Sequence, residues 1–69
     1  MIEVFKTNIQ ELSQATRLIA LLLNHFPDTK INVDLHDCDK VLRIEGHNFA
    51  PTRVMTLVRE HGFMCSVLE

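Results

Sequence analysis

Near the start of the chain, apolar and polar positions alternate with a period of two. In IEVF, residues 2–5, Ile2 and Val4 fall on one face and Glu3 and Phe5 on the other. Such alternation predicts a half-buried strand, with Ile2 and Val4 expected to face the helices. The pattern then changes. Ile9, Leu12, Ile19, Leu22, Leu23 and Phe26 recur at helical spacing, with Thr16 on the same stripe, which predicts a long amphipathic helix. Two overlapping capping-box spacings mark its start, Thr7 with Gln10 and Asn8 with Glu11, and Pro27 stops it.

After the turn PDTK the period returns to two. Ile31, Val33 and Leu35 alternate with Asn32, Asp34 and His36, and then Leu42 and Ile44 alternate with Val41, Arg43 and Glu45. Two strands joined through the short segment His36–Lys40 make a hairpin. A second helix follows, with Pro51 in its first turn and Phe49 placed to staple onto Val54. Val54, Leu57, Val58 and His61 share its apolar face, Gly62 ends it, and residues 63–68 form a last strand with Phe63, Cys65 and Val67 on one side.

The order β-α-β-β-α-β is the ferredoxin-like split unit. It predicts an α+β domain over residues 1–69 with an antiparallel four-stranded sheet, order 4-1-3-2, and both helices on one face. Chain direction then brings residues 6–8, 36–40 and 61–63 to the same end of the sheet.

Composition narrows the function classes. A chain of 69 residues buries only roughly 60% of the surface its unfolded form exposes. With 46% hydrophobic residues and only two glycines and two prolines, it reads as a folded domain. Seven Lys and Arg against nine Asp and Glu, with no basic cluster, argue against a nucleic-acid partner. The longest apolar run, LIALLL at 18–23, is too short to span a bilayer, and MIEVFK does not resemble a signal peptide. Two cysteines are too few for a disulfide framework, so a reduced, cytoplasmic setting is expected.

The stretch LHDCDK at 35–40 sets His36, Asp37, Cys38 and Asp39 side by side. Aspartates flanking an exposed cysteine are ordinary turn chemistry. As a metal site, the segment would use His36 and Cys38 with Asp37, Asp39 or His61, because transition-metal sites need three or four converging donors. Lys6, Thr7 and Asn8 would form an anion site at the amino end of the first helix, or simply cap it. Cys65 reads as a core residue. Cys38 and Cys65 lie on strands that are not neighbours in the deduced order, and His25 and His47 lie at the opposite end without an evident partner. No catalytic spacing or glycine-rich phosphate loop is present, so an enzyme is not expected. With Ile2 and Val4 turned inward, the open sheet face would carry Phe5, Val41, Met64 and Leu68, an apolar patch suited to self-association or a protein partner.

From residue 26 onward, FPDTKINVDL, KVLRIEG and APTRVMTLVREHGF resemble the heavy-metal-associated domain family of copper chaperones and metal-transporting ATPases. The resemblance covers about two thirds of the chain and implies the same β-α-β-β-α-β scaffold. That family grips Cu(I) through Met-x-Cys-x-x-Cys between the first strand and first helix. Here the loop reads FKTNIQEL, without cysteine, methionine or histidine, so no metal-binding residue carries over. The sequence therefore implies a non-enzymatic binding or interaction module on this scaffold. No cofactor is expected in that role. The alternative is a divergent metallochaperone-like protein using the His36–Asp39 hairpin, with Zn(II) or Cu(I) as its ion.

Overall fold

The computed structural model describes residues 1–68. It contains β1 (Ile2–Thr7), α1 (Leu12–His25), β2 (Lys30–Asp34), β3 (Val41–Glu45), α2 (Pro51–Glu60) and β4 (Cys65–Val67). The strands form one antiparallel sheet in the order β2-β3-β1-β4, which is the predicted 4-1-3-2 seen from the other edge. The helices cover one face, α1 over β2 and α2 over β4.

The face of β1 that meets the helices is the reverse of the expected one. Phe5 is completely buried and Thr7 is buried beyond it, whereas Ile2 is 53% exposed. Register explains the choice, because Phe5 lies opposite Leu42 on β3 and Thr7 opposite Cys65 on β4, both core residues. The strand also runs two residues past the predicted IEVF, so its inward face carries the half-buried Glu3 followed by Phe5 and Thr7. Burying a ring of that size outweighs burying Ile2, since stabilisation grows with apolar area removed from water. The hydroxyl of Thr7 is satisfied inside: it donates to the Lys40 carbonyl and accepts from the Ile9 N–H at 3.3 Å.

Helix α1 starts later than either predicted cap. Glu11 is the N-cap, and Gln14 Oε1 accepts from the backbone N–H groups of Glu11 and Gln10, both at 3.2 Å. The buried stripe is Ala15, Leu18 and Leu22. Ile9 joins the core from the preceding loop, while Leu12 and Leu23 are exposed and Thr16 turns outward to donate to the Leu12 carbonyl at 2.9 Å. In α2, Pro51 occupies the first turn, Val54, Leu57 and Val58 are buried, and Phe49 is buried just ahead of the helix. Gly62 ends that segment at φ +90°, a conformation that costs a residue without Cβ little.

Strand β4 is shorter than predicted, and Phe63 and Met64 precede it. The guanidinium of Arg59 holds its start by donating to the Cys65 carbonyl at 2.7 and 3.1 Å. The core joins Phe5, Ile9, Leu42, Ile44, Phe49 and Cys65 to the two helix stripes. Among the described residues, no helix is long and apolar enough to cross a membrane.

Candidate functional site

The sheet face away from the helices carries Ile2, Val4 and Lys6 from β1, Lys30, Asn32 and Asp34 from β2, and Val41, Arg43 and Glu45 from β3. Leu68 donates its N–H to the Val4 carbonyl at 2.9 Å, continuing the β1–β4 ladder by one pair, and therefore lies beside Val4. Along β1 and its β4 neighbour, Ile2, Val4 and Leu68 thus form a continuous apolar strip. The β2–β3 half is charged, with both signs interleaved, and Arg43 pairs with Glu45 at 3.1 Å.

Of the four residues expected in this patch, Val41 and Leu68 are on the open face and Met64 is exposed at the loop end. Phe5 is not part of it. The inversion of β1 places that ring in the core and puts Ile2 and Val4 outside in its stead. The alternation in IEVF leaves an apolar residue on each face and does not decide which face is covered. The burial of Thr7 was the missing signal, since a threonine looks like an outward residue until its hydroxyl has partners.

At the predicted end, the three loops do meet. Thr7 N–H donates to the Asp39 carbonyl at 3.0 Å, Lys6 Nζ stands 3.7 Å from Asp39 Oδ1, and Met64 N–H donates to Asn8 Oδ1 at 2.8 Å. The residues expected to form an anion site do not sit at the amino end of α1. Lys6, Thr7 and Asn8 precede the helix start by several residues, and their side chains tie the hairpin and β4 to β1.

The LHDCDK segment is a sequence of side-chain-supported turns. Asp34 Oδ1 accepts from the His36 N–H at 3.0 Å, and Asp37 Oδ1 accepts from the Asp39 N–H at 2.8 Å. Lys40 takes a positive φ of 46° and donates from Nζ to the Leu35 carbonyl at 2.8 Å. One donor atom each from Asp37, Cys38 and Asp39 lie within 4.8 Å of one another. His36 and His61 do not join that group. His61 is exposed at the end of α2, not packed on its apolar face, and its Nδ1 faces the Leu57 carbonyl at 2.9 Å, which fixes the proton on that nitrogen.

Cys38 and Cys65 are both free thiols. Burial raises the Cys65 thiol to about 11, with the Arg59 charge opposing the shift, so the group packs as a neutral hydrophobe. His25 and His47 do share a place, a hollow at the opposite end lined also by Asp28.

Comparisons with family models, with curated proteins and with solved structures find no match to the chain.

Proposed function

We propose that the protein is a non-enzymatic interaction module that pairs with a second copy of itself through the open sheet face. The observation that carries this reading is the strip Ile2, Val4 and Leu68 on two adjacent strands of an uncovered face. A strip on one side of a face can meet its own copy across a two-fold axis, apolar against apolar, as isologous contacts require. The charged half favours a copy over a strongly charged partner. Lys6, Lys30 and Arg43 are nearly balanced by Asp34 and Glu45, so two such faces repel little. A small domain also has the most to gain from extra burial.

Size sets the strength. Four strands of three to six residues span at most roughly 20 Å by 19 Å. Two such faces bury less than the ~1,200 Å² of a stable complex, so association is weak and concentration-dependent, with a Kd of about 10–1,000 μM. Sedimentation equilibrium of the wild type against Val4→Lys tests it. The wild type should approach dimer mass at high concentration and the variant stay monomeric; equal behaviour of the two would remove the strip as the cause.

One observation favours a second reading, a divergent metal site. It is the convergence of a thiol and two carboxylates at Asp37, Cys38 and Asp39. All three sit on a single turn, and Asp37 and Asp39 already serve a backbone N–H and Lys6. A four-coordinate Zn(II) would take its last ligand from water or a partner. Zn(II) titration of reduced protein decides: saturable binding weakened about tenfold or more by Cys38→Ser supports the site, and equal binding by both proteins discards it.

A further inference from the structure

On the opposite side of the molecule from the open sheet, a cleft of about 270 Å³ lies between the amino-terminal half of α1 and the end of α2. Gln14, Arg17, Leu18, His61 and Phe63 line it. Its apolar surface comes from Leu18, which is almost fully buried, and the half-buried Phe63. The three polar side chains each have a group left over. Gln14 uses Oε1 on the helix start, which leaves its NH₂ as a free donor. His61 uses Nδ1 on Leu57, which leaves Nε2. Arg17 makes no ion pair among the described residues, so its guanidinium is uncommitted.

Among the described residues, no carboxylate lines the cleft. Glu11 lies in the adjoining hollow, which shares Gln14 and Phe63 with the cleft. An uncommitted cation and an amide donor beside an apolar floor suit a charged planar head on a nonpolar body. Arginine is suited to carboxylates because its N–H groups fork onto both oxygens. The volume, at the lower limit for small-molecule pockets, restricts the body to about one ring or a short branched chain.

We propose that this cleft binds a small organic carboxylate with an apolar body, its carboxylate on Arg17 and Gln14, its body against Leu18 and Phe63, and a polar substituent within reach of His61. The site is independent of the sheet-face dimer. Val4→Lys, which removes the dimer, leaves every residue of the cleft in place, so the two ideas fail separately.

Titration of isotope-labelled protein with phenylacetate, followed by amide NMR, tests the assignment. Saturable shifts centred on Gln14, Arg17, Leu18 and residues 61–63 are expected below ~10 mM. Phenylacetamide, with the same ring and no charge, and acetate, with the charge and no ring, should each bind about tenfold or more weaker. Arg17→Gln, a helix-compatible change at an exposed position, should lose a similar factor while its thermal melt stays unchanged. Equal binding of the amide, shifts centred elsewhere, or no saturation would overturn the proposal. Tighter binding of a tripeptide ending in a free phenylalanine carboxylate would overturn the small-molecule assignment in favour of a chain terminus.

Discussion

The orientation of β1 decides both what holds the core together and what the open face presents, and two substitutions one residue apart test it. Phe5 is completely buried against Leu42 and the helix stripes, whereas Val4 lies between Arg43 and Leu68 on the uncovered side. A domain of 69 residues has a stability of about 3–10 kcal/mol. Phe5→Ala removes about 3–5 kcal/mol, most of that reserve, and would leave little folded protein to measure. Phe5→Leu keeps part of the contact and should cost about 1–2 kcal/mol. Val4→Lys should cost under about 0.5 kcal/mol, since the Lys stem lies along the sheet and its charge stays in water. The chain has no Trp or Tyr, so urea unfolding is followed by far-UV circular dichroism. Dilute protein keeps dimer formation from adding to the wild-type value. A loss in Val4→Lys as large as that in Phe5→Leu would put Val4 inside and refute the orientation.

The loop end and the buried thiol give three more expectations. Asn8→Ala frees the Met64 N–H and should cost about 1 kcal/mol, with faster hydrogen exchange at Met64 and the first residues of β4. Thr7→Val keeps the shape but strips the Lys40 carbonyl and Ile9 N–H of a partner, so chemical denaturation should show a loss of about 1–3 kcal/mol. Cys65 has a folded pKa raised from 9.0 to about 11. The unfolded chain therefore ionises first, so the contribution is complete below pH 9 and lost as pH climbs toward 11, by about 2–3 kcal/mol. Cys65→Ala should flatten that alkaline decline, and in the native wild type a thiol reagent should label Cys38 alone.

Much of the fold was legible because its signals are local. The shift from period two to 3.6 and back, together with Pro27, Pro51 and Gly62, located every element. Strand order followed from crossover handedness, and Cys65 in the core followed from its alternation with Phe63 and Val67. What was not legible depends on distant partners. Capping-box spacing recurs at Thr7/Gln10, Asn8/Glu11 and Glu11/Gln14. The third is used because Thr7 is committed to Lys40, 33 positions away, and Asn8 to Met64, 56 positions away. The inversion of β1 has the same origin. Both faces of IEVF carry an apolar residue, and only pairing with Leu42 and Cys65 selects Phe5 and Thr7 for the interior. The apolar strip consequently moved from Phe5 to Ile2 and Val4. Asp37, Cys38 and Asp39 come together as their adjacency suggests, but His36 and His61 do not join them, and the His61 ring is held instead at the Leu57 carbonyl.

Self-association through the open sheet face is the central functional claim, and sedimentation equilibrium over a concentration series, wild type beside Val4→Lys, meets it most directly. Mass in the wild type should rise from that of one 8.0 kDa chain toward twice that value as concentration passes the Kd, while Val4→Lys holds the monomer mass with an unchanged circular dichroism spectrum. A wild type that sediments as a monomer up to ~1 mM, the weakest affinity such a face would give, would contradict self-association through this face.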